Sequence, residues 1–388
     1  MQGKLFESMK IGIVCYPTYG GSGIVATELG MDLAERGHEI HFISTSLPAR
    51  LNITMPNISF HKVNVETYPL FEFQPYSLAL SSLIVNIVQT HGLDLIHVHY
   101  AIPHAYAAYF AKQILKDKGI KLPVVTTLHG TDITLVGSHP AYKPAVEFSI
   151  NKSDRVTSVS ESLKRESFEF FDIYNEIEVI PNFIDNSQFL IDENCKCREE
   201  IAGKDEKIVI HVSNLRKVKR IGDVIKVFYE IQKEVNAKLI IVGEGPEWER
   251  TSAEIERLGI SDKVKSLGKV NDLYTVLCSA DLFLLPSEKE SFGLAALEAM
   301  AARVPVISSN AGGIPEVNID GETGFVLPIG DVKGMSEKAI MLLKDDQLLK
   351  KFSENAKKQA LRFDKKTVLP LYESLYHSVL KKDPKKIE

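Results

Sequence analysis

Glu290 and Glu298 stand eight positions apart in "EKESFGLAALEA", residues 288–299, with Ser291, Phe292 and Gly293 directly after the first of them. A glycine lets the backbone come close to a ligand. A helix opening at this point aims the amides of Phe292, Gly293 and Leu294, its positive end, at whatever lies in front of it. A diphosphate suits those amides, and the two carboxylates, acceptors only when ionised, suit the hydroxyl groups of sugars on either side. Solvated glutamates flanking a helix would account for either residue alone, but not for the Ser-Phe-Gly between them.

A second glycine cluster lies near the start, in "CYPTYGGSGIVATELG", residues 15–30. Gly20, Gly21, Ser22 and Gly23 separate an apolar run, Ile11 to Cys15, from an amphipathic one, Ile24 to Glu35. The dinucleotide pattern GxGxxG is absent, since after Gly23 the next glycine is Gly30. Taken alone, the loop fits a tight turn and an anion site equally. Further polar residues gather where apolar runs end: Tyr100 after "DLIHVH", "HGTD" with His129 after "VVTTL", and "NLRKVKR" with Asn214, Arg216 and Lys219 after "KIVIHVS". Each could be a local cap, but together they mark strand exits, where ligands of open α/β sheets bind.

The elements that must position these residues alternate between two periods. Strand patterns are expected at Lys10–Pro17, Glu39–Thr45, Ser59–Val65, Leu93–His99, Pro123–Leu128, Arg155–Val159 and Glu178–Ile180, β-branched and apolar on both faces as in a covered parallel sheet. Helical patterns at Ile24–Arg36, Ser77–Thr90, His104–Lys116 and Tyr142–Lys152 fit between them. The alternation lapses in the polar stretch around Ile180 to Ala202 and then restarts, with strands in "KIVIHVSN", "AKLIIVGEG", "KVKSLGKV", "DLFLLPS" and "VPVISS". Helical patterns there cover Gly222–Val235, Glu247–Leu258, Asp272–Ser279, Phe292–Ala301 and Lys333–Leu343, and the chain closes on Asp346–Arg362 and Lys366–Leu380. The expectation is an α/β protein of two doubly wound, Rossmann-like domains facing across a cleft: 9–181, a linker at 182–204, then 205–362, with 363–388 a helix bracing both. The first eight residues read as an extension ahead of the fold.

With 388 residues the chain exceeds what one hydrophobic core sustains. Lys and Arg total 46 against 51 Asp and Glu, a net charge of −5, which gives no overall pull toward nucleic acid or anionic lipid. The longest apolar stretch, Leu78 to Val88, is broken by Ser81, Ser82 and Asn86 and falls short of a membrane span. Cys15, Cys195, Cys197 and Cys278 do not form a disulfide framework, and the opening residues lack the pattern of a secretory signal, so a reducing cytoplasm is expected. Cys195 and Cys197, without a nearby His, read as surface residues rather than part of a zinc site.

"EKESFGLAALEA" resembles the E-x7-E motif of the retaining glycosyltransferases of family four, and the likeness runs along the chain from Met9. That resemblance implies the GT-B fold. The blocks "CYPTYGGSGIVATELG", "HVHYAIPHA", "TTLHGTDITLVG" and "HVSNLRKVKRIGDVI" are similar to those members that transfer N-acetylglucosamine from UDP-N-acetylglucosamine to L-malate, the first step of bacillithiol biosynthesis. By resemblance Glu290 holds hydroxyls of the donor sugar, Glu298 the ribose of UDP, and His129 touches the sugar near its 6-hydroxyl. The family's diphosphate-binding Arg and Lys lie five residues apart. Here Asn214 stands at the Arg position and Lys219 at the Lys position, so one cation is missing and Arg216 or the glycine loop must compensate. Glu290, His129 and Lys219 are the expected catalytic residues. Gly21, Ser22, Asn214, Ser291, Phe292, Gly293, Leu294 and Glu298 join Lys219 and Glu290 as donor contacts. Ser22, Gly23, Tyr100, Thr127 and Arg155 are the expected acceptor contacts.

For this family, retention implies attack from the face that UDP leaves, a donor phosphate oxygen taking the acceptor's proton. Positioning and charge stabilisation are then the enzyme's task, and no metal or other cofactor is expected, because amides and Lys219 neutralise the diphosphate. No nucleic acid and no stable membrane association are expected, and self-association is left open. Three rivals remain: a related transferase with a lipid or sugar acceptor, for which "FEFQPYSLAL" is the one candidate membrane-facing segment, a UDP-N-acetylglucosamine 2-epimerase, and a Rossmann oxidoreductase, which lacks its glycine fingerprint here.

Overall fold

A computed structural model describes residues 7–65, 73, 75–137, 139–189, 198–203, 205–270 and 272–381. The chain divides into two compact units, Met1–Asn182 with Lys366–Glu388, and Phe183–Lys365. The polar stretch expected to link two domains is thus divided at Asn182, and its Cys195 and Cys197 lie outside the described residues. Cys15 is free and buried, while Cys278 is disulfide-bonded.

The first unit holds seven parallel strands, β1 (Lys10–Val14), β2 (Glu39–Ser44), β3 (Ile58–Lys62), β4 (Leu95–His99), β5 (Val124–Leu128), β6 (Arg155–Ser158) and β7 (Ile177–Val179), in the order β3-β2-β1-β4-β5-β6-β7. Every residue of β4 and β5 is buried; β5 is apolar or β-branched on both faces, while β4 carries the buried His97 and His99 on one of its faces. The order reverses between β1 and β4, and such a switch point leaves a crevice beyond the strands' carboxyl ends. Helix Lys365–Leu380, expected to brace both halves, packs in this unit: Arg36 makes a forked ion pair with the buried Glu373 at 2.8 and 2.7 Å, and Tyr376 Oη lies 2.8 Å from His97 Nδ1.

The second unit repeats the plan with β8 (Lys207–Val212), β9 (Ala237–Val242), β10 (Val264–Gly268), β11 (Leu282–Leu285), β12 (Val306–Ser309) and β13 (Gly324–Leu327), in the order β10-β9-β8-β11-β12-β13. Val209, Leu239, Ile241, Leu282, Leu284 and Ile307 form one face of its core, against Val224, Phe228 and Ile231 of helix Ile221–Glu234. Truncating a fully buried Phe such as Phe228 typically costs about 3–5 kcal/mol. Here the switch lies between β8 and β11.

Two strand exits depart from the expected pattern. The helix expected from His104 starts at Tyr106, after an irregular turn at Ala101–Ala105 whose Ile102 is extended (φ −127°, ψ 142°), and "HGTD" runs into a π-helical turn at Thr131–Leu135. Single π turns of this kind re-aim side chains and often stand at functional sites. Among the described residues no helix is long and apolar enough to cross a membrane.

Candidate active site

In the second unit, the loops after β8 and β11 leave the same edge of the sheet side by side. Lys219 Nζ donates to Glu290 Oε2 at 2.6 Å, the two side chains only 19% and 16% exposed. The backbones are joined as well, Glu288 N–H donating to the Val218 carbonyl at 2.7 Å. Arg220 sits in the left-handed region at φ 53° and places Nε and Nη2 on Asp223 Oδ2 at 2.7 and 2.6 Å, with Nη1 3.9 Å from Glu288 Oε2. Asn214 and Arg216 are exposed.

Glu290 is also fixed from behind. The Gly313 N–H donates to the Glu290 carbonyl at 3.0 Å. Gly312, at φ 51°, approaches so closely that a Cβ there would stand 2.0 Å from that carbonyl oxygen. Helix Leu294–Ala301 starts two residues later than expected, with Gly293 (φ 95°) at its N-cap and no side-chain cap among the described residues, so its first amides remain available to an anion. Phe292 is 2% exposed and packs edge-on against Phe363, so its side chain is core and only its backbone faces the loop. Ser291, Leu294 and Glu298 are half-buried, Glu298 lying in the helix.

In the first unit the loops after β1 and β4 meet at the switch point. Ser22 Oγ and Tyr100 Oη are 2.5 Å apart. Burial lifts the Tyr100 phenol to about 12, so it keeps its proton at neutral pH. Tyr100 sits at φ 85°, a strained conformation for a non-glycine residue. Helix Gly21–Glu35 begins beside it, behind an extended Gly20 at φ −71°, ψ 154°. Gly23 answers a need within the loop itself: a Cβ there would lie 2.4 Å from the Thr18 carbonyl oxygen and 2.9 Å from that of Tyr16.

His129 is 7% exposed, its Nε2 2.8 Å from His99 Nδ1 and its ring beside that of Tyr100. Burial pushes its pKa down to about 3, so it is a neutral hydrogen-bonding group. Asp132, buried beneath it, accepts from the amides of Ala101 (2.8 Å), Gly130 (3.1 Å) and His129 (3.3 Å) and so ties the exits of β4 and β5 together. Burial raises its carboxyl to about 6 against those same amides.

The structure thus brings together Lys219 with Glu290, and Ser22 with Tyr100, beside His129. It does not bring Thr127 or Arg155 to the exits. Thr127 is wholly buried inside β5, its hydroxyl 2.7 Å from both His97 Nε2 and Thr157 Oγ1; the exposed threonine at this exit is Thr131. Arg155 opens β6 opposite Val125, and because all strands are parallel it stands at the edge where strands begin, about 13 Å from the exits along a four-residue strand. Asp132 and the Gly312–Gly313 pair are absent from the sequence expectation, although "HGTD" and the "AGG" after β12 were legible as strand exits.

Comparison with known proteins places these loops in a family. Residues 19–188 match the family model of Glycosyltransferase Family 4, and residues 196–359 that of Glycosyl transferases group 1. The chain is 47% identical over 377 residues, 97% of its length and 98% of the relative's, to the N-acetyl-alpha-D-glucosaminyl L-malate synthase of Bacillus anthracis. It is 25% identical over 92% of its length and 98% of the relative's to the 2-deoxystreptamine N-acetyl-D-glucosaminyltransferase of Niallia circulans. Among solved structures, sucrose-phosphate synthase from Thermosynechococcus elongatus has a TM-score of 0.83 at 18% identity, covering 97% of this chain and 100% of that one. Anabaena Alr3699/HepE in complex with UDP and glucose has a TM-score of 0.79 at 21% identity, covering 95% and 100%. Both show the fold, two parallel-sheet domains of the GT-B kind. With both halves matched and nearly half of the residues shared with one relative along almost its whole length, the protein belongs to glycosyltransferase family 4.

Proposed function

We propose that this enzyme transfers N-acetylglucosamine from UDP-N-acetylglucosamine to the hydroxyl of L-malate with retention at the anomeric carbon, the first step of bacillithiol biosynthesis. The observation that carries this reading is the 47% identity, over 97% of the chain, to the relative whose name states that product. In the proposed reaction the bond from the sugar's anomeric carbon to the diphosphate breaks, the malate oxygen bonds to that carbon from the same face, and the malate proton passes to a donor phosphate oxygen. Lys219 and the open amides after Gly293 take up the charge that develops on UDP, which leaves no charge-neutralising role that a metal must fill. Glu290 orients the sugar hydroxyls and Glu298 the ribose. Ser22, Tyr100 and Thr131 donate hydrogen bonds to malate, with the amides at the start of helix Gly21–Glu35 opposite a carboxylate.

Incubating the protein with UDP-N-acetylglucosamine, with and without L-malate, and weighing the products tests this directly. A conjugate of sugar and malate formed only with malate is expected. An isomerised UDP-sugar formed without any acceptor would make the protein an epimerase. Lactate, which lacks the distal carboxylate, should be about ten- to a hundredfold poorer than L-malate in kcat/KM, because a pocket built for two carboxylates is left with unpaired donors. Lactate working equally well would remove the dicarboxylate pocket while leaving sugar transfer standing.

The glycine behind Glu290 gives a further expectation. Gly312→Ala forces the Glu290 carbonyl away from a position only 2.0 Å from the new methyl, and should lower kcat at least about tenfold, since misplacement by an ångström can cost up to about a hundredfold. Turnover and thermal melting are compared with wild type. A wild-type kcat would show that Glu290 does not depend on this brace.

A further inference from the structure

Away from both strand-exit loops, three histidines from separate segments converge: His41 in β2, His61 in β3, and His91 at the end of helix Tyr76–His91. We infer that they form a binding site for a divalent transition-metal ion that favours imidazole, such as Zn(II) or Co(II), and that this ion clamps the edge strand β3 to the rest of the first sheet. One ligand atom from each lies within 4.8 Å of the other two. His41 is buried and the others are half-buried, so an ion has a route from solvent.

The hydrogen bonds set up the lone pairs. Glu39 Oε1 lies 3.0 Å from His41 Nε2, which places the His41 proton on Nε2 and turns the Nδ1 lone pair toward the cluster. A carboxylate behind a histidine in this way orients a metal ligand and raises its basicity. His61 Nε2, 2.9 Å from that Nδ1, then donates its N–H to it. A metal ion takes that proton's place: the His61 proton moves to the other ring nitrogen, no charge is lost, and two lone pairs face the ion with His91 as the third. Metal–nitrogen bonds of about 2.0–2.1 Å need ligand atoms somewhat over 3 Å apart in a tetrahedral site. The contact of 2.9 Å must therefore open slightly and the third ring close in, within reach of side-chain rotation. The nearby cation is Lys10, whose Nζ is 3.2 Å from Glu39 Oε2 and 3.2 Å from the His91 carbonyl; it is 45% exposed, so water and Glu39 offset its charge.

The cluster sits on β2 and the outer strand β3, whereas Ser22 and Tyr100 follow β1 and β4 at the switch point. The ion is therefore structural, separate from sugar transfer.

The test uses the full chain without a polyhistidine tag, stripped with chelator and titrated with Co(II) and with Zn(II) alone. One saturating equivalent is expected, with visible absorption from Co(II) in a nitrogen-rich site and a melting temperature raised by Zn(II). His61→Gln should weaken binding about a hundredfold or more, and Glu39→Gln, which disturbs only the orientation of His41, about ten- to a hundredfold. His91→Gln is the second ligand variant should His61→Gln fail to fold, as judged by circular dichroism. The chain has eleven histidines, and binding that survives both ligand variants would assign the ion to others such as His99 and His129, overturning the proposal. An absence of saturable binding to the wild type would overturn it equally.

Discussion

Glu290→Ala is expected to lower the rate of sugar transfer about 10²–10³-fold while leaving the affinity for UDP unchanged or severalfold tighter. The rate falls because the carboxylate's proposed partners are sugar hydroxyls, whose orientation matters most as the anomeric carbon passes through the transition state. UDP affinity holds because Glu290 brings no favourable charge to a diphosphate. Glu290 occupies Lys219 through a contact of 2.6 Å, and removing it releases that ammonium to the phosphates. Calorimetry with UDP alone, set beside kcat for the complete reaction, separates the two effects. Equal losses in both would assign Glu290 to the nucleotide rather than the sugar. Glu290→Gln, which keeps one acceptor oxygen and loses the ion pair, should fall between wild type and Glu290→Ala in rate.

The architecture was largely readable because a parallel sheet covered on both faces demands consecutive apolar, β-branched residues, a pattern little else produces. Helix Ile221–Glu234 and helix Val332–Lys344 likewise lie within a residue of their expected bounds. Strand β13, "GFVL", was missed. Helix Glu161–Phe170 was missed despite a readable signal, the N-cap Ser160, whose hydroxyl accepts from the Leu163 N–H at 3.0 Å. The two acceptor candidates that lie away from the exits have a common origin. Thr127 and Thr131 are the same residue type four positions apart, and only the point where β5 ends decides which one meets a ligand. Arg155 lies close in sequence to a strand exit, but at the beginning of its own strand, and strand direction puts it at the wrong edge.

What the sequence reading could not reach is support that comes from far along the chain. Gly312 holds Glu290 from a different loop, and Asp132 secures the exit of β4 from the exit of β5. Neither contact leaves a local spacing to read. Both act on backbone rather than on a side chain, so the residues that meet the substrates are held by residues that do not.

Lys219→Ala should have the opposite signature to Glu290→Ala, with UDP affinity falling about tenfold or more and kcat/KM about 10³-fold. Two physical terms act in the same direction. The ammonium that answers charge on the departing diphosphate is lost, and Glu290, only 16% exposed, becomes an unpaired carboxylate facing an incoming anion. Since Asn214 carries no charge and Arg220 is held by Asp223, Lys219 has little local help. Arg216 is exposed and should cost less than about threefold when replaced by Ala. Because Lys219 and Glu290 touch, their effects cannot add: once Lys219 is gone, removing Glu290 as well also removes the repulsion, and the double variant should recover UDP affinity relative to Lys219→Ala while staying inactive in transfer. UDP titrations of the two single variants and the double variant read out this cycle. Should Lys219→Ala bind UDP as wild type does while Arg216→Ala does not, the diphosphate belongs to Arg216, and the ion pair between Lys219 and Glu290 serves only to join the loops after β8 and β11.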